Sequence, residues 1–117
     1  MCPNCYSSGL TGFSSHQEFG AFEAALHQKL AWQQLHRVVV PPATAADFYE
    51  PDAYYRCAAC TETWALSPPD NAWRGYFLPA AQANTLRQRV RRHDTLKGIV
   101  GLAGLLALAA LFYFLTR

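Results

Sequence analysis

Apolar and polar positions change their period several times along the chain. Over residues 16–35, Phe19, Phe22, Leu26 and Leu30 recur at spacings of three and four, which puts them on one helical face, with Glu23, Lys29 and Gln33 largely off it. Ser15 followed by Glu18 has the spacing of a capping box, and Ser14 with Gln17 nearly fits as well, so a helix is expected over about 16–35. Arg37-Val38-Val39-Val40 is β-branched and stops at Pro41-Pro42, the pattern of a strand closed by a loop that runs through Pro42 to Asp47 and on to Glu50-Pro51-Asp52. Tyr54-Tyr55-Arg56 and the stretch 61–66 read as the two strands of a hairpin. Ser67-Pro68-Pro69-Asp70-Asn71 is a firm turn, and residues 73–78 suit a short edge strand.

From Pro79, a residue suited to a first helical position, nothing breaks a helix until Gly98. Leu86 and Val90 give that stretch only a thin apolar stripe among Arg and Gln, so 79–97 is expected to be a solvated helical stalk. Residues 98–115 then carry no charged side chain. Eighteen residues at about 1.5 Å each span roughly 27 Å, close to the ~30 Å hydrocarbon core of a bilayer. A domain of fewer than 100 residues has little capacity to bury a helix that is apolar on every side, so 98–116 is expected to span a membrane, with Phe112, Tyr113 and Phe114 at one interface.

Charge sharpens this picture. The net charge is +2, but residues 1–86 carry four Lys/Arg (Lys29, Arg37, Arg56, Arg74) against seven Asp/Glu, whereas 87–117 carry six Lys/Arg against Asp94 alone. Arg87, Arg89, Arg91, Arg92 and Lys97 precede the apolar stretch and only Arg117 follows it, so the positive-inside rule places residues 1–97 in the cytoplasm. The same five cations are candidates for contact with anionic lipid headgroups. No basic and apolar leader opens the chain, which fits a tail-anchored topology. Gly101, Ala103, Gly104, Ala107 and Ala110 leave room for a second helix to approach, though small residues are common in membrane helices in any case. The excess of Arg over Lys and the abundance of Ala match GC-rich bacterial coding, pointing to a bacterial inner membrane. Nucleic acid is a poor partner, because the N-terminal part is net acidic.

The candidate chemistry lies in the cysteines. Cys2-Pro3-Asn4-Cys5 and Cys57-Ala58-Ala59-Cys60 use all four cysteines in two matched pairs, with 51 residues between them. A Cys-x2-Cys turn offers two thiolates from one tight loop, and two such turns complete a tetrahedral zinc shell. In a reducing compartment ligands are expected rather than disulfides. The two knuckles and their flanking aromatic strands resemble the zinc-ribbon group, in which knuckles at hairpin tips share one metal; the resemblance covers about 1–78 and implies Cys2, Cys5, Cys57 and Cys60 as ligands. Tyr6 and Thr61 stand where many ribbons have Gly, and the long spacer leaves room for an inserted helix.

A closed shell of four thiolates leaves no open position for substrate, so the expected cofactor is one structural zinc, with iron as the chemical alternative. The rival is a membrane-tethered dithiol oxidoreductase that oxidises Cys2–Cys5 or Cys57–Cys60. Buried free thiols are the bland reading. His16, His27 and His36 have no carboxylate–nucleophile constellation around them, and Ser14 and Ser15 read as helix caps. Trp64, Trp73, Tyr76 and Phe77 are expected to form the core, and Arg74 to pair with Asp70.

The expectation is therefore an α+β chain: a zinc-ribbon-like domain at 1–78 with an inserted amphipathic helix, a basic stalk at 79–97 and a transmembrane helix at 98–116. It is expected to be a non-enzymatic adaptor or accessory subunit of a membrane protein complex, in contact with the bilayer and acting on no evident small-molecule substrate. An immunity-type protective membrane protein fits the same topology.

Overall fold

The structure, a computed structural model, describes residues 2–39 and 49–117. The element order is α1 (His16–Ala31), β1 (Leu35–Val38), β2 (Ala53–Cys57), β3 (Thr63–Ser67), β4 (Tyr76–Pro79) and α2 (Ala80–Thr116). The four strands make one antiparallel sheet in the order β1-β2-β3-β4, so the fold is α+β. Two compact units divide the chain, Met1–Thr85 and Leu86–Arg117.

Helix α1 starts where its cap directs. Ser15 is extended (φ −153°, ψ 164°) and its Oγ accepts the Glu18 N–H at 3.1 Å. The Glu18 carboxylate reaches back to the hydroxyl and the backbone N–H of Ser14, and both bonds hold its pKa below the usual carboxylate range. The C-terminus differs from the expected 16–35. Gln33 turns left-handed at φ 58°, its N–H donates to the Leu30 carbonyl at 3.0 Å, and the Gln34 N–H donates to Lys29 at 2.9 Å. These two bonds form a Schellman cap, which stops the helix at Ala31 and frees Leu35 to begin β1. The β1 strand accordingly runs earlier than the Val-rich run implied: Val39 lies beyond it, while Val40 and the expected loop at 42–47 lie outside the described residues.

One face of the sheet holds the core. Leu35 lies opposite Cys57, Tyr55 opposite Trp64, and Leu66 opposite Phe77, and all six are buried. Onto them α1 lays Phe19, Phe22, Leu26 and Leu30, the residues of its apolar stripe. Phe77 is the hub: its ring stacks on Trp64 at 5.0 Å and meets Tyr6 and Phe22 at 4.9 Å each. Such ring pairs add about 0.5–1.5 kcal/mol each beyond the area they bury. The free edge of β4 is covered by the N-terminal segment, where Leu10 and Phe77 exchange backbone hydrogen bonds of 2.7 and 2.8 Å. This pairing aligns the chain that carries the first cysteine knuckle.

The turn between β3 and β4 corrects one expectation and refines another. Arg74 sends its guanidinium not to Asp70 but to the Ser14 carbonyl (2.8 Å), tying the turn to the start of α1, while Asp70 exchanges backbone bonds with Trp73. Of the four aromatics expected in the core, Trp64, Tyr76 and Phe77 are buried; Trp73 is half-buried beside Tyr49 and donates its indole N–H to Ser67 Oγ at 2.9 Å. Gly75 is left-handed at φ +70°, and a Cβ there would lie 2.3 Å from the Ser67 carbonyl oxygen. Gly75→Ala is expected to destabilise the domain by about 1–3 kcal/mol, read as a lower denaturant midpoint at unchanged m-value.

Pro79 closes β4 rather than opening the last helix, which starts at Ala80. Within α2 an 18-residue window reaches a mean hydropathy of 2.3 with none of it buried, so this helix is long and apolar enough to cross a membrane.

Candidate metal centre

The second knuckle grows out of the sheet. Cys57 ends β2 and is only 1 % exposed, and its N–H donates to the Glu62 carbonyl at 2.9 Å. The Thr61 N–H closes the turn onto the Cys57 carbonyl at 3.1 Å, and the Ala58 N–H donates to Gln34 at 3.0 Å, joining the knuckle to the cap of α1. Cys60 stands exposed on the outer side of this turn.

No strand carries the first knuckle; side chains anchor it instead. Immediately after Cys5, the Tyr6 ring packs among Phe22 (5.7 Å), Trp64 (5.8 Å) and Phe77 (4.9 Å). Lys29, from α1, donates to the Asn4 carbonyl at 3.1 Å and lies 5.1 Å from the centre of the Tyr6 ring. Tyr6, a departure from the Gly found in many ribbons, is thus the peg that seats the knuckle. The hydrophobic pattern marks Lys29 only as an off-face residue, and its separation of 25 positions from Asn4 leaves no local signal of this role.

The structure brings all four candidate ligands together. Cys2 Sγ lies 3.6 Å from Cys57 Sγ, Cys5 Sγ lies 3.5 Å from Cys60 Sγ, and the four sulfurs all lie within 4.8 Å of one another. Four thiolates about 2.3 Å from a shared tetrahedral ion sit about 3.8 Å apart, so the residues present fit a single metal. Both short contacts run between knuckles, not within them.

Electrostatics prepares the sulfurs unequally. The backbone N–H groups of Asn4 and Cys5 point at the Cys2 sulfur and lower its pKa to about 6. Burial pushes the Cys5 thiol up to about 12. A divalent ion in four thiolates leaves a charge of −2 on the cluster, and the Lys29 ammonium is held against its first knuckle.

Thr61 occupies the second ribbon-glycine position with φ +61°, a left-handed conformation unfavourable for a β-branched residue. Thr61→Gly is expected to relieve about 1–2 kcal/mol of strain and to lose about 0.5–1 kcal/mol of that to unfolded-chain entropy. A modest rise in the thermal midpoint of the metal-loaded protein is the expected result.

The remaining candidates lie elsewhere. His16, His27 and His36 are exposed, and Ser14 and Ser15 serve the cap of α1. Arg89, Arg91, Arg92 and Lys97 are exposed on α2, and Arg87 is half-buried. Together these features define an α+β domain whose four clustered cysteines could hold a metal ion in a zinc-ribbon-like site, in a chain that also carries a candidate membrane helix. The chain matches no protein-family model, no curated protein and no solved structure.

Proposed function

We propose that this is a non-enzymatic, single-pass membrane protein whose cytoplasmic domain holds one structural zinc and serves as an adaptor or accessory subunit of a membrane complex. The observation that carries the proposal is the convergence of four sulfurs within 4.8 Å from two knuckles far apart in sequence. A filled four-thiolate shell contributes folding energy and offers no coordination position for a reaction. The short sulfur contacts between knuckles favour a shared ion over a dithiol working inside one CxxC pair.

The basic residues of α2 support passage through a headgroup layer. At about 100° per residue, Arg87, Arg89, Arg91, Arg92 and Lys97 are spread around the whole helix. A helix lying flat on a membrane concentrates its cations on one face, whereas a helix crossing the headgroups meets phosphate on every side. Their excess on the N-terminal side of the apolar stretch supports a cytoplasmic domain.

Metal analysis of the full chain in mild detergent tests the proposal: about one zinc per chain is expected, with no visible absorption from iron–thiolate charge transfer. A stable partner retained in the same detergent supports the adaptor role. A metal-free folded chain overturns the zinc, and a chain that stays monomeric and partnerless overturns the adaptor.

A further inference from the structure

The four sulfurs are not equivalent in their access to solvent, and the two short contacts divide along that line. Cys57 is buried in the core, and its contact with Cys2 is partly covered; Cys60 is exposed, and so is its contact with Cys5. A small oxidant meets the outer pair first. With all four sulfurs held as thiolates by the ion, exposure selects the one that reacts first, and a neighbouring thiolate resolves the product.

We propose that hydrogen peroxide exchanges the metal of this centre for a disulfide between Cys5 and Cys60, which makes the centre a redox-responsive metal-release site. The proposal rests on the zinc reading above. The Cys60 thiolate attacks one peroxide oxygen; an S–O bond forms, the O–O bond breaks, and hydroxide leaves with the electron pair of that bond. The Cys5 thiolate, 3.5 Å away, then attacks the Cys60 sulfur. The S–S bond forms and the S–O bond breaks, expelling a second hydroxide. Two protons from solvent turn both hydroxides into water. In total two thiolates are oxidised by two electrons and one peroxide is reduced, and the ion, left with Cys2 and Cys57 alone, dissociates.

The pairing has a structural consequence that an intra-knuckle disulfide lacks. Cys5 and Cys60 are 55 positions apart and belong to different knuckles, so their bond closes the same loop that the metal closes. A Cys2–Cys5 or Cys57–Cys60 bond leaves the knuckles unlinked. Oxidation through the outer pair therefore releases the ion while the domain keeps a staple.

The test uses the full chain in detergent, its zinc counted before any oxidant is added. Hydrogen peroxide is then titrated in while a chromophoric chelator reports free zinc; free thiols are alkylated at each step and disulfides mapped by mass spectrometry. The expected result is a Cys5–Cys60 disulfide as the first product, one zinc released per disulfide, retained secondary structure, and recovery on adding dithiothreitol with zinc. Zinc held in the presence of excess peroxide, or a first disulfide inside a knuckle or between Cys2 and Cys57, overturns the proposal with the zinc reading intact. A chain that carries no zinc at the start refutes that reading and removes this proposal with it.

Discussion

Cys57→Ser is expected to abolish stoichiometric zinc binding and to unfold the N-terminal unit. Cys57 is the most enclosed of the four sulfurs and a member of the core, so its loss removes a ligand and leaves a hydroxyl among apolar neighbours. A structural zinc site is worth about 10–16 kcal/mol of apparent binding energy, comparable with or larger than the ~5–15 kcal/mol net stability of ordinary domains. A unit of this size buries too little surface to make up such a loss. Circular dichroism of the full chain should show loss of sheet signal in the variant, and a strong chelator should reproduce it in the wild type; cooperative unfolding at the wild-type temperature in either case argues against a metal-held fold. Acid should act in the same direction. In the metal-free domain Cys5, pushed up to about 12 by burial, keeps its proton at neutral pH, so metal binding must expel it and affinity falls as pH falls. Cys60, whose pKa is also raised, holds its proton in the same way, and Cys2, with a pKa lowered to about 6, adds a further competing proton only below that value. Zinc release, followed by chelator absorbance across a pH series, should therefore steepen below about pH 6.

Local pattern made some parts of this molecule legible and left others hidden. The start of α1, its stripe packed on the core, the β2–β3 hairpin and the four candidate ligands all follow from spacings within a few residues. The end of α1 was hidden because Gln33 occupies a left-handed cap position usually marked by Gly, so the pattern ran on to Leu35. The second knuckle hid its backbone in the same way, with Thr61 in a conformation that Gly usually announces. Long-range partners carry no periodic signal at all: Arg74 chooses Ser14, 60 positions away, over its neighbour Asp70. The pegging of the first knuckle by Tyr6 and Lys29 likewise depends on tertiary packing. What was legible was therefore which cysteines come together, and what was not was how a knuckle without a strand is held in place.

The second large effect concerns the helix. Replacing Leu105 and Leu106 together with Asp is expected to release the protein from membranes. Both lie near the middle of the apolar stretch 98–115 and are exposed, so the substitution disturbs no packed core. Each exchange trades a favourable insertion term of about 0.3–0.6 kcal/mol for a penalty of about 2.5–3.5 kcal/mol, so the pair costs roughly 6–8 kcal/mol. Asp is the stricter choice, since a Lys at the same depth reaches toward the interface on its long stem. The measurement is carbonate extraction of membranes, in which the wild type should stay with the pellet and the variant should move to the supernatant. Zinc content should not change, because the metal centre belongs to the other unit of the chain. Arg87, Arg89, Arg91, Arg92 and Lys97 remain in the variant, and at about 1 kcal/mol per cation near an anionic surface they should leave a weak, salt-sensitive attachment to anionic vesicles. Salt then separates the two contributions: high ionic strength should strip the variant and leave the wild type bound. A variant that resists both carbonate and salt shows that the anchor lies outside this helix.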